Sequence, residues 1–112
     1  MKVVISSRGK ELKSMLDPRF GRAPYLVFYD TEADGFEVID NGSATQLAHG
    51  AGIQTAQSVL GKNPDLVVSG NFGPKASEVL KAANIKLAVC PELTVGEVLE
   101  LVKKGEVTPF EG

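Results

Sequence analysis

With 112 residues the chain has the size of one domain, enough to bury a single core and too little to divide into two. Hydrophobic residues make up 43% and charged residues 23%, a globular balance that excludes a disordered tail or a collagen-like repeat. The 12 basic and 14 acidic side chains leave a formal net charge of -2, without a broad positive field to hold a nucleic-acid backbone, so nucleic acid is not an expected partner.

The first run, Lys2-Val3-Val4-Ile5-Ser6, is short, apolar and β-branched and gives way to a polar stretch containing Gly9, the pattern of a buried strand leaving the core. Tyr25-Leu26-Val27-Phe28-Tyr29 and Phe36-Glu37-Val38-Ile39 flank a polar link with Asp34-Gly35 and read as an antiparallel hairpin. Asn41-Gly42-Ser43-Ala44-Thr45 reads as a loop. Beyond it Ile53, Ala56, Val59 and Leu60 recur at helical spacing, so a helix starts near Gly50. Gly61 is expected to end it in a left-handed conformation, and Pro64 bars continuation.

Leu66-Val67-Val68 follows as a buried strand and Gly70-Asn71-Phe72-Gly73 as a turn, after which Pro74 suits the first helical position because no amide hydrogen is needed there. The inward stripe of this second helix is Ala76, Val79, Leu80 and Ala83, with Asn84 as a left-handed terminator before a short fifth strand, Lys86-Leu87-Ala88-Val89. Thr94-Val95-Gly96-Glu97 has the form of a capping box and opens the last helix. Val98, Leu101 and Val102 form its apolar face, Lys103 and Lys104 suit its negative end, and Gly105 closes it; the remaining tail reads as loosely attached. The order predicts an α/β domain with a mixed five-stranded sheet, antiparallel in its amino-terminal part.

No apolar run approaches the roughly 20 residues of a membrane-spanning helix, and the amino terminus enters a strand instead of a signal peptide, so a soluble cytoplasmic protein is expected. Cys90 is the only cysteine, which excludes an internal disulfide and any four-thiolate zinc or iron–sulfur site built by one chain. Just after a strand and before Pro91, it reads as a core thiol.

Ligands of open α/β sheets bind beyond the carboxyl ends of the parallel strands. Three segments are expected at that rim: the loop after the first strand with Arg8, Lys10, Arg19 and Arg22, the helix opening His49-Gly50-Ala51-Gly52, and the turn from Gly70 to Lys75. Both glycine-bearing segments leave amides uncovered at a helix start, where an anion is favoured, although the same glycines also serve a plain tight turn. Arg19 and Arg22 suit carboxylate or phosphate oxygens, with Phe20-Gly21 between them to fix the loop's path, and Lys75 adds a charge. His49 is the only histidine; alone it cannot complete a zinc site, so any metal it meets must bring its own donors.

Catalytic signatures are missing. The Gly70–Lys75 turn lacks the Gly-Lys-Ser/Thr ending of a nucleotide-hydrolysing loop, no serine sits in a G-x-S-x-G elbow, and the strand interiors carry only the single carboxylate Glu37, not the set a two-metal nuclease needs. A non-catalytic binding protein is therefore expected.

Arg19-Phe20-Gly21-Arg22-Ala23-Pro24, His49-Gly50-Ala51-Gly52-Ile53-Gln54 and Gly70-Asn71-Phe72-Gly73-Pro74-Lys75-Ala76, in this order, resemble the dinitrogenase iron-molybdenum cofactor-binding family over nearly the whole chain. That family includes NifX- and NafY-type nitrogenase accessory proteins and the carboxyl-terminal domain of NifB-type proteins. The resemblance implies a ribonuclease H-like three-layer α/β/α fold without nuclease activity, and the binding, storage or transfer of an iron-molybdenum cofactor or iron–sulfur cluster. It implies His49 as the metal ligand, Arg19, Arg22 and Lys75 as compensating charges, and close backbone approach at Gly50, Gly52, Gly70 and Gly73, with Asn71 in the same site. Family members often carry histidine just before Phe-Gly-Arg, where this chain has Arg19. Cluster donor and acceptor proteins are the implied partners, and a monomer or weak homodimer is expected. The competing reading is a metal-independent module that binds a phosphorylated or carboxylated metabolite through the same loops.

Overall fold

β-Branched residues in unbroken runs build the centre of the sheet. The computed structural model describes residues 1–33 and 35–111; Asp34, placed in the hairpin link from sequence, lies outside the described residues. The strands are β1 (Lys2–Ser7), β2 (Tyr25–Asp30), β3 (Gly35–Asp40), β4 (Leu66–Ser69), β5 (Lys86–Val89) and β6 (Thr108–Pro109). The helices are α1 (Gly42–Thr45), α2 (Ala51–Leu60), α3 (Pro74–Ala82) and α4 (Val95–Lys104). One mixed sheet runs in the order β3-β2-β1-β4-β5-β6, with β1, β4 and β5 parallel and the remaining pairings antiparallel.

Successive strand residues face opposite sides of the sheet, so β1 supplies two cores at once. Val3 and Ile5 pack with Val27, Val68 and the α4 residues Val95, Val98 and Val102 on one face. Val4 packs with Leu26, Val67 and Leu87 against Ala56 and Val59 of α2 and Ala76 and Leu80 of α3 on the other. Helices thus cover both faces, in three layers. Each fully buried valine or leucine contributes about 1.5–3 kcal/mol of hydrophobic stabilisation before entropy is charged against it.

The expected five-stranded sheet is corrected to six strands. The tail is attached rather than loose: Ala88 pairs with Pro109 and Val89 with Thr108, and the Phe110 N–H donates to the Leu87 carbonyl at 2.9 Å. Phe110 then packs at a tilt on Phe72, ring centroids 5.1 Å apart. Two residues, one of them a proline without an N–H, are too few to register as a strand by periodicity, and an edge position is where such a strand is tolerated. β5 consequently lies inside the sheet.

Further differences are local. The segment read as a loop before α2 contains the short helix α1. Gly61 does cap α2 but stays right-handed, at φ -63°, and the left-handed turn falls on Asn63, at φ 51°. Ala83, placed in the inward stripe of α3, is exposed, whereas Ser77 is buried with its hydroxyl donating to the Pro74 carbonyl at 3.0 Å. Asn84 and Gly105 are left-handed, as their positions after helices require.

The capping box on α4 is complete. Thr94 Oγ1 accepts from the Glu97 N–H at 3.1 Å, and the Thr94 N–H donates to Glu97 Oε1 at 2.9 Å. These hydrogen bonds hold the Glu97 carboxyl below its ordinary value. A depressed folded-state value means that this contribution is present above the unfolded carboxylate range and is lost as pH falls through the folded value. Thr94→Ala is therefore expected to lower stability by about 1 kcal/mol in urea unfolding at neutral pH. Glu97→Gln is expected to flatten the acid limb of the stability profile, and an unchanged limb would refute this role for Glu97.

Candidate functional site

Three loops are sewn together at the carboxyl ends of the parallel strands by buried polar groups. Ser6 Oγ, near the end of β1, lies 2.7 Å from the Asp17 carbonyl oxygen and 2.7 Å from Ser69 Oγ at the end of β4. All three residues are buried, and their mutual hydrogen bonds offset the desolvation that burial imposes. The Asp17 carboxylate accepts the Arg19 N–H at 2.9 Å and faces Arg19 Nε at 3.6 Å. Arg19 in turn bridges in parallel to Asn71, so the loop after β1 and the turn after β4 run side by side. Beneath them the Phe20 and Phe72 rings pack at a tilt, centroids 5.2 Å apart, and carry both loops into the core, the aromatic anchoring expected of Phe20.

The third loop, leading into α2, is held by Asn41. Its buried amide donates to the Ala23 carbonyl at 2.9 Å and meets Thr55 Oγ1 of α2 at 3.0 Å. This clamp brings the start of α2 against the Arg19–Arg22 loop. A Cβ on Gly21 would lie 2.7 Å from both Cα and N of Gly52, and a Cβ on Gly70 would lie 2.6 Å from Pro18 Cα. Gly50, the residue before α2, has φ +81°, a left-handed conformation that glycine adopts without strain.

The result is a surface cleft of about 500 Å³. Arg19 and Arg22 line it from the first loop, His49, Gly50 and Gly52 from the second, and Asn71, Gly73 and Lys75 from the third. Gly70 stands behind the wall against Pro18, so its missing side chain serves packing between loops. Arg8 and Lys10, expected at the same rim, lie outside the lining. Arg8 pairs with Glu92 at 2.5 Å, and Lys10 sits 5.4 Å from the Tyr25 ring centroid.

The electrostatics of the lining are one-sided. It contains two arginines, a lysine and a histidine but no carboxylate, hydroxyl or thiol. The amino termini of α2 and α3 both open here, neither with a side-chain cap nor with an acidic residue in its first turn. Their unpaired amides and positive dipole ends add to the basic side chains, so the cleft is suited to an anion. His49 is exposed, and its ring makes no hydrogen bond among the described residues, which leaves it available as a nitrogen donor or proton acceptor. No group of three or more metal-ligating side chains gathers among the described residues, so the cleft fits an anionic species with its own donors rather than a bare cation. The lining offers the imidazole no hydroxyl or thiol side chain to act on as a nucleophile.

Ser6, Asp17, Asn41, Thr55 and Ser69, which hold the loops, carry no motif that marks them as site residues in the sequence. The one legible signal was a serine ending each of two apolar strand runs. Cys90 is buried in the α4-side core, and that burial pushes its thiol above the ordinary value.

Because backbone atoms cannot yield as a flexible side chain can, Gly21→Ala and Gly70→Ala are each expected to destabilise by about 1–3 kcal/mol. Gly73→Ala, where a Cβ meets open space, is expected to stay within about 0.5 kcal/mol. Urea melts of the three variants check the ranking, and a Gly21→Ala protein as stable as Gly73→Ala would break the packing argument. Cys90 is expected to react at least tenfold faster with a thiol reagent at neutral pH in denaturant than in the native protein, as followed by the reagent's absorbance.

A sequence model of the dinitrogenase iron-molybdenum cofactor family matches residues 1–105. Among solved structures, the apo form of the orange protein from Desulfovibrio gigas superposes with a TM-score of 0.91 at 35% identity, covering 98% of this chain and 96% of that one. A candidate NifB protein from Thermotoga superposes at 0.86 with 36% identity, covering 99% and 97%. A candidate dinitrogenase from Methanocaldococcus jannaschii, at 0.74 and 16% identity over 100% and 96%, shares the fold. No curated protein matches the chain. No helix among the described residues is long and apolar enough to cross a membrane. On the family match and these two close structural relatives, the chain belongs to the dinitrogenase iron-molybdenum cofactor family.

Proposed function

We propose that the protein is a non-catalytic carrier that binds an anionic iron–sulfur or iron-molybdenum cluster in the cleft and passes it between a donor and an acceptor protein. The observation that carries this reading is the convergence of three loops into a lining with basic side chains, two uncapped helix starts and one imidazole, and no carboxylate. In this reading His49 ligates a metal at the edge of the cluster, Arg19, Arg22 and Lys75 balance its charge, and Asn71 and the amides beside Gly50, Gly52 and Gly73 hydrogen-bond its inorganic atoms. One protein ligand and an open cleft suit a cargo that must leave again. Relatives described as an apo orange protein and a candidate NifB protein support the same reading. The strand order β3-β2-β1-β4-β5 supports treating the domain as ribonuclease H-like, with β6 added at the edge.

A second reading, a metal-independent site for a phosphorylated or carboxylated metabolite, is favoured by the absence of a multi-residue ligand group among the described residues. Anaerobic reconstitution with ferrous iron and sulfide, followed by iron analysis and a visible spectrum, separates the two. The carrier reading expects a coloured product, and His49→Ala is expected to weaken cluster binding at least tenfold, about 1.4 kcal/mol. Raising the salt concentration is expected to weaken it further, because the side-chain charges are largely exposed. A colourless, iron-free product, together with salt-sensitive phosphate binding by the apo-protein that His49→Ala leaves intact, would replace the carrier reading with the metabolite one.

A further inference from the structure

One side of the Arg22 guanidinium is already occupied. Nη1 donates to the Thr45 carbonyl at 3.1 Å and to the Leu47 carbonyl at 2.7 Å. Thr45 closes α1, and Leu47 lies in the link 46–50 that carries His49 to α2. Among the described residues, no other side chain hydrogen-bonds to this link. Its downstream end is set by left-handed Gly50, whose carbonyl accepts the Gln54 N–H at 3.0 Å. Between these two ends Ala48 and His49 are exposed along the cleft.

A guanidinium carries five N–H donors in one plane. The two on Nη1 serve the loop; the three on Nε and Nη2 have no partner among the described residues, and Arg22 lines the cleft. We propose that Arg22 is the positioning residue of His49: one rigid plane joins the His49 loop to an anion in the cleft, so that capture of the anion and ordering of the loop are coupled. This rests on the reading of the cleft as an anion site. An anion that engages the free edge fixes the plane, and the plane fixes the carbonyls at the head of the loop. Lysine carries the same charge but, as a point ammonium on a flexible stem, cannot hold both sides in register.

The first test uses the apo-protein and no ligand. Backbone order parameters of Leu47–Gly50 from nitrogen-15 relaxation are expected near the rigid value of about 0.85 in the wild type and below about 0.6 in both Arg22→Gln and Arg22→Lys, with sheet residues unchanged. The second test measures binding of the iron–sulfur cluster reconstituted from ferrous iron and sulfide. Arg22→Lys, which keeps the charge, is expected to bind at least fivefold more weakly than wild type, and Arg22→Lys combined with His49→Ala to bind no more weakly than the worse single variant, as residues acting through one another do. Unchanged order parameters in both variants, wild-type affinity in Arg22→Lys, or losses that multiply in the double variant would each overturn the proposal. A wild type that takes up no cluster counts against the carrier reading, while the order parameters still decide the role of Arg22.

Discussion

Two loops meet with backbone against backbone where Gly21 faces Gly52, and the cleft depends on that contact. With no Cβ between them, the amino terminus of α2 rests directly on the loop that carries Arg19 and Arg22. Any side chain at Gly21 would hold the two apart and carry His49 away from the arginines. Gly70 against Pro18 performs the same service for the loop after β4. Packed interiors tolerate little change of volume, so these two contacts act as fixed spacers rather than soft ones.

The polar residues behind the cleft are costly to bury and are therefore fully engaged. Ser6, Ser69 and Asp17 form one knot, Asn41 and Thr55 another, and no buried side-chain nitrogen or oxygen among the described residues lacks a partner. Such groups define a unique arrangement because a shifted loop would leave a donor or acceptor unpaired. The aromatic column Phe20–Phe72–Phe110 extends this order from the cleft to β6. The carboxyl-terminal tail therefore rests on the same aromatic support as the site loops, although it lies beyond the residues that match the family.

Net charge conceals what the cleft is. The chain as a whole is slightly acidic, yet within the lining only basic side chains are ionisable. Field over a few ångströms is set by local groups and by helix ends, while distant surface carboxylates are screened within about 8–10 Å. A weakly negative molecule can thus present one positive recess, offset locally by the buried Asp17 carboxylate 3.6 Å from Arg19 Nε.

Periodicity and turn chemistry in the sequence determined most elements. β1, the hairpin, α2 through α4 and the capping box all follow from local patterns, because hydrogen bonding and side-chain direction within an element depend on near neighbours. The three loops that line the cleft were legible for the same local reason, as glycines and a proline at helix starts beside basic residues. Tertiary structure alone decided the rest. It turned the tail into β6, sent Arg8 and Lys10 elsewhere, set Gly70 behind the wall and tied Arg22 to the His49 loop. Each of these rests on a contact between residues distant in the chain, and a one-dimensional pattern cannot register an approach whose partner lies on another element.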